Sequence, residues 1–314
     1  MLIWLVLLGC ALFPKVETFL STQAERAQLE RHSILIEKGM GSVSYWEGGN
    51  PNGEPLLWLH GFGGDALWAW ARNLDDFADT HHIIAPDLLW FGESQGGLTL
   101  DAQARAVQQI LETEGVEQAH VIGLSYGGFV GLKLIEYGSV ASLVLVGVGG
   151  LDWTVEQRQA LANRFEVSQL EDLFVPSSVD DVNTLVDVCF YAPTWLMPSD
   201  FDEQLYGKVF GKYPEEQRAL IGDLQKQSMS MSQWTAVWKQ PPPTLLIVGR
   251  QDPIFTLQDV RDLSIALEGR LKVYPFAGHV PQVGHANRFR RDVRRFLNEQ
   301  SLSPNTEPHQ DMEE

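Results

Sequence analysis

From Ser33 onward, short apolar runs alternate with longer stretches whose apolar positions recur at helical spacing. Ser33–Ile36 and Val43–Trp46, separated by Gly39 and Gly41, predict an opening antiparallel pair. Buried strands are expected at Leu56–Leu59, His82–Ala85, Ala119–Ile122 and Leu143–Val146, each short, apolar and mostly ended by Gly or Pro. Two more follow a long gap, at Thr244–Val248 and Leu271–Tyr274. The clearest helix between them is Leu100–Glu114, where Leu100, Ala104, Val107 and Leu111 share one face. Strands alternating with helices predict an α/β domain with a largely parallel sheet.

The gap, 151–240, has no strand pattern and is rich in Trp, Phe, Tyr and Met. It ends at Pro241-Pro242-Pro243, which cannot continue a helix and leads back toward the sheet. We read it as a helical cap inserted after the sixth core strand. The chain then divides into an apolar segment over 1–20, core parts over 21–150 and 241–300 around the cap at 151–240, and an acidic tail over 301–314, expected to be disordered.

Leu2–Phe13 is an uncharged apolar run that stops at Pro14-Lys15. It is shorter than the roughly 20 residues a membrane-spanning helix needs. Four readings stay open: a secretory signal lacking its charged n-region, a lipoprotein-type box at Leu7-Leu8-Gly9-Cys10, a signal anchor extended to Leu20, and an amphipathic arm packed on the domain. Membrane association or export to the bacterial envelope is the expectation.

The composition narrows the function. Among 314 residues, 23 Lys and Arg stand against 41 Asp and Glu, a formal charge of −18 that repels a phosphate backbone. The basic run Arg288–Arg295 reads as one face of a C-terminal helix. Nucleic acid is therefore not expected as a partner, and the 44% hydrophobic content excludes a mostly disordered chain. Two cysteines, Cys10 and Cys189, cannot build a disulfide framework or a thiolate zinc site. No spacing calls for a metal or an organic cofactor.

The chemistry concentrates at Gly123-Leu124-Ser125-Tyr126-Gly127-Gly128, between an apolar strand and a helical stretch. That context turns a Gly-x-Ser-x-Gly match into a sharp, strained turn exposing the Ser125 hydroxyl at the sheet edge. A serine needs a base, and the base needs an orienting acid. His279, in Ala277-Gly278-His279 after the last strand, is the preferred base, with His285 as its rival. Asp252, in Gly249-Arg250-Gln251-Asp252-Pro253, is the preferred acid, with Asp152 as the alternative. His60-Gly61-Phe62-Gly63-Gly64 follows the third strand as a side-chain-poor loop. It supplies an oxyanion hole from the backbone amides of Phe62 and Tyr126, with His60 bracing the loop.

These segments, together with Pro86-Asp87 and Gly92-Glu93-Ser94, resemble the α/β-hydrolase superfamily in order and spacing over about 33–297. The likeness is greatest to its monoacylglycerol-lipase and esterase branch. The resemblance implies a mostly parallel eight-stranded sheet flanked by helices, with an inserted cap and a Ser-His-Asp triad cleaving carboxylic esters. One departure is Leu88-Leu89-Trp90-Phe91, where the family carries Pro and Gly, so this loop is bulkier.

The cap should set the substrate. Its aromatics, Trp153, Phe190 and Trp195 among them, together with Phe62, Trp68 and Trp70, predict an apolar acyl pocket suited to a monoglyceride or medium-chain ester. A carbon–carbon hydrolase of ring-fission products would use the same triad with a polar clamp for a carboxylate, and the sequence places none of Arg158, Arg164, Lys208, Lys212, Arg218 or Lys226 at the pocket. A non-catalytic binding protein of this fold would usually lack a triad member or the loop glycines, all present here. Epoxide hydrolases and haloalkane dehalogenases carry aspartate where this chain has Ser125.

Overall fold

Eight strands form one sheet in the order β1-β2-β4-β3-β5-β6-β7-β8. They are β1 (Leu29–Leu35), β2 (Ser42–Gly49), β3 (Glu54–Leu59), β4 (His81–Pro86), β5 (Ala119–Leu124), β6 (Val140–Val146), β7 (Thr244–Gly249) and β8 (Arg270–Tyr274). Strand β2 pairs antiparallel with both β1 and β4, and the neighbours from β4 to β8 are parallel. The computed structural model describes residues 12–39, 41–150, 154–189, 199–227, 238 and 240–301.

Because side chains alternate across a strand, each central strand feeds two cores. Leu57, Leu59, Val121, Leu143 and Leu145 face α3 (Leu100–Thr113) and α4 (Tyr126–Leu134). Leu56, Trp58, Ile122, Val144 and Val146 face α2 (Ala66–Ala78) and the C-terminal helix. Burial on both sides explains why these strands are apolar throughout rather than alternating. The expected helix Leu100–Glu114 is α3, opened by Thr99, whose hydroxyl accepts from Ala102 N at 3.1 Å.

The first described element is α1 (Leu12–Arg26), so residues 12–20 form a helix lying against the domain. Phe13 is 1% exposed and packs with Trp68 and Phe201. Between β6 and β7 run α5 (Val155–Arg164), α6 (Leu170–Phe174), α7 (Val179–Cys189), α8 (Ser199–Leu205), a π turn at Tyr206–Phe210 and α9 (Pro214–Lys226). The three prolines then return the chain to the sheet, where Leu143 N donates to Pro243 O at 2.9 Å. After β7 come α10 (Leu257–Ala266), β8, the short α11 (Pro281–Gly284) and α12 (Ala286–Asn298). The basic run is a face of α12, whose Phe289, Val293, Phe296 and Leu297 are buried.

Candidate active site

Ser125, Asp252, His279 and the His60–Gly64 loop follow β5, β7, β8 and β3, at the C-terminal ends of the parallel strands, where open α/β sheets bind ligands. Ser125 lies between β5 and α4 with φ +47° and ψ −114°, a conformation an L-residue holds only when its surroundings impose it. Three contacts impose it. Ser125 N donates to Val146 O on β6 at 2.9 Å, and Ser125 O accepts from Gly128 N at 2.8 Å. A Cβ at Gly127 would stand 2.4 Å from His60 O, so the turn and the loop after β3 touch backbone to backbone. The side chain of Ser125 is left partly exposed at the N-terminus of α4, which favours negative charge.

The loops after β7 and β8 are joined in the same way. A Cβ at Gly249 would lie 2.1 Å from Gly278 O; Gln251 N donates to Ala277 O, and Ala277 N donates to Gln251 Oε1, both at 3.0 Å. This seam brings Asp252 to His279, with His279 Nδ1 2.9 Å from Asp252 Oδ2. The other carboxylate oxygen accepts from Ile254 N and Phe255 N at 2.9 and 3.1 Å. With a carboxylate on Nδ1, the proton sits there and Nε2 is the basic nitrogen. The imidazole rests over Gly147, where a Cβ would come within 3.1 Å of the ring. His279 therefore abuts the end of β6, the strand whose Val146 O holds Ser125 N.

His285 stands apart from this group: its Nε2 donates to Phe276 O at 3.1 Å, and it begins α12. Asp152 lies outside the described residues. Cys189 is near Asp252, and its thiol is pushed up to about 12 by burial first and by that carboxylate second, so it is no competing nucleophile.

His60 braces the loop after β3. Its Nδ1 donates to Gly61 O at 2.7 Å and its Nε2 accepts from Leu88 N at 2.8 Å, which requires a neutral ring. Burial pulls its pKa down to about 4. Behind the loop, Asp65 caps α2 by accepting from Trp68 N at 3.0 Å, and its pKa is raised to about 6 by burial and then by Asp87. Asp87 accepts from Ala66 N and pairs with Arg31 at 2.6 Å. The bulky Leu88-Leu89-Trp90-Phe91 segment packs inward: Phe91 meets the rings of His60 and Phe62 at 5.2 and 5.0 Å.

Above Ser125 opens a cleft between the sheet and the helices that follow β6. The sheet side contributes Phe62, Tyr126, Phe129, Ile254 and Phe255, and the cap side Leu170, Phe174, Ile221 and Leu224, with Arg158 and Gln225 as the polar members. Gln225 Nε2 is buried without a hydrogen-bond partner among the described residues. Phe62 and Tyr126 stand edge to face with centroids 5.6 Å apart.

Two expected pocket residues are elsewhere. Trp68 is not in this lining; it packs on Phe13 because α2 presents it to α1 and the cap. Trp70 is fully buried on the opposite face of that helix, against Trp58 and Phe289. Trp153, Phe190 and Trp195 lie outside the described residues. Arg158, Ile254 and Phe255 were not foreseen as lining, although the apolar pair directly after Asp252-Pro253 was a usable signal.

A family model of the α/β hydrolase fold matches residues 54–286, and the chain belongs to that family. Among its relatives, lipase 1 of Psychrobacter immobilis is 29% identical over 301 residues, covering 89% of each chain. A 2-hydroxy-6-oxo-6-phenylhexa-2,4-dienoate hydrolase of Burkholderia cepacia is 26% identical over 293 residues, covering 88% of this chain and 99% of the relative. The crystal structure of a membrane phospholipase A superposes with a TM-score of 0.77 at 22% identity, covering 93% of this chain and 94% of the other. The class thus defined is hydrolytic.

Proposed function

We propose that the protein is a serine hydrolase of carboxylic esters with an apolar acyl group, such as a monoacylglycerol or a medium-chain ester. The observation that carries this reading is a partly exposed serine on a strained turn, at the floor of a cleft lined mainly by Phe, Leu and Ile. His279 takes the Ser125 proton while Oγ attacks the ester carbonyl. Asp252 holds the imidazole and stabilises its charged form. The amides of Phe62 and Tyr126 receive the oxyanion; loss of one such donor costs about 3 kcal/mol of barrier. His279 then protonates the leaving alcohol, and water hydrolyses the acyl-enzyme by the reverse path. The lipase relatives support an ester substrate.

A second reading, carbon–carbon bond hydrolysis, draws on the ring-fission hydrolase relatives and on Arg158, a cation at an otherwise apolar cleft. A p-nitrophenyl ester series from short to long acyl chains, run with wild type and Ser125→Ala, separates the two. A mid- to long-chain optimum lost in Ser125→Ala, with little change in Arg158→Gln, supports the ester reading. No ester turnover by folded wild type, with cleavage of a vinylogous 1,5-diketo acid that falls in Arg158→Gln, supports the second.

The site in the cell belongs to the same proposal: the apolar run Leu2–Phe13 supports membrane association or export. No helix among the described residues is long and apolar enough to cross a membrane. Fractionation of cells expressing the full chain tests this placement.

A further inference from the structure

On the sheet face that carries α3, toward the strand ends away from Ser125, Glu47 of β2, His82 of β4 and Glu114 at the end of α3 converge. Each offers one donor atom, and the three atoms lie within 4.8 Å of one another. His82 Nε2 is 2.6 Å from Glu47 Oε1. His32, on β1, places its Nε2 3.6 Å from the other oxygen of Glu47, beyond hydrogen-bond reach, and this nitrogen has no hydrogen-bond partner among the described residues. Tyr45 stacks on the His32 ring at 5.5 Å and donates its hydroxyl to Glu114 Oε1.

The charges of this cluster do not balance internally. Glu114 ends a helix, where the last carbonyls already carry partial negative charge, and Glu47 adds a second carboxylate beside it. Among the described residues the ion pairs of Glu47 are both with histidines, and no lysine or arginine pairs with Glu114. The strand register brings the groups together: Tyr45 and Glu47 lie on one face of β2, and β4 pairs with that strand so that His82 lies opposite Gly49.

We infer that Glu47, His82 and Glu114 bind a divalent transition metal ion, zinc by its donor set. One imidazole nitrogen and two carboxylate oxygens, with water in the fourth position, suit a four-coordinate ion of that kind. The imidazole disfavours calcium and magnesium, which take oxygen ligands. The ion would tie the β1–β2 hairpin to β4 and to the end of α3. Its effect is on stability, because the cluster lies toward the opposite end of the strands from Ser125.

The test titrates zinc chloride into the untagged, full-length, EDTA-stripped protein by calorimetry, alongside thermal unfolding and the visible spectrum of the cobalt(II) form. Expected are one zinc per chain, a melting temperature that rises with zinc, and cobalt bands that change in His82→Ala. Affinity should fall at least about tenfold in His82→Ala and in Glu114→Gln. Glu114→Gln keeps the shape of the site, so it remains informative where His82→Ala fails to fold. Ester hydrolysis by metal-free Glu114→Gln should match that of the metal-free wild type. No zinc uptake at high micromolar concentration, or uptake unchanged in both variants, overturns the assignment.

Discussion

Two sets of Ser, His and carboxylate lie toward opposite ends of the strands of one sheet. At one end, Ser125, His279 and Asp252 stand on loops after β5, β8 and β7. At the other, His120 of β5 bonds Ser142 Oγ of β6 through Nδ1 at 2.8 Å and Glu54 Oε2 of β3 through Nε2 at 3.2 Å. The residue types are alike and the settings differ. Ser142 and His120 are wholly buried as cross-strand partners within the sheet, whereas Ser125 is partly exposed at a positive-φ turn below a cleft. The second set satisfies polar groups inside the sheet; the first holds a hydroxyl where a substrate can reach it. Presentation by the backbone, more than the residue trio, distinguishes the two serines.

The largest expected effect tests this contrast directly. Ser125→Ala should lower kcat/KM by at least about 10⁴-fold. Ser142→Ala should leave kcat/KM unchanged and cost about 1–3 kcal/mol in denaturant unfolding, because it strands a buried imidazole nitrogen. Equal losses of activity in both would break the comparison.

Next in size is Asp252→Asn, expected to cost roughly 10³- to 10⁴-fold in kcat through loss of the charge and of the correct tautomer. Steady-state kinetics on the same ester series reads it, and a loss under tenfold would remove Asp252 from its role.

Gly147→Ala should be smaller and mixed. The residue has φ +58°, and a Cβ there meets His279 O at 2.7 Å as well as the ring. A displaced imidazole should lose about 10²-fold in kcat, while the strained backbone costs about 1–3 kcal/mol of stability. A variant with normal kcat and lowered stability would show that the imidazole tolerates the shift.

The smallest effect is on acid stability. His60, held near 4, and His120, lowered by burial, stay neutral in the fold, whereas unfolded histidines take up a proton near 6.5. Their contribution is present above that value and is lost as pH falls. Asp65, raised to about 6, has the opposite sign: it favours the folded state in acid and loses that contribution as pH rises through 6. Asp65→Asn removes the offset, so melting temperature should fall more steeply with pH between about 6 and 4 than in wild type. An unchanged slope would mean that Asp65 is solvated like an ordinary carboxylate.

Much of this was legible in advance because it is local. Strand β5, the glycines around Ser125 and the following helix are neighbours in sequence, so one short motif specifies the turn. Each expected strand corresponds to an observed one, though β1 starts at Leu29, ahead of the expected Ser33, because pairing with β2 extends it through the polar Glu30, Arg31 and His32. The cleft was less legible. Trp68 and Trp70 sit two residues apart on α2, and only the neighbours of that helix decide that one packs on Phe13 and the other on Trp58.

The sequence by itself determined the α/β alternation and the helical stretch between β6 and β7, and it singled out Ser125, His279 and Asp252 as candidates, because short apolar runs and glycine-bounded turns act over a few residues. Only the tertiary structure decided which residues line the cleft, that Arg158 reaches it, and that Glu47, His82 and Glu114 meet. Those facts depend on how strands, helices and cap pack together, and no local pattern encodes contacts between segments so far apart in the chain.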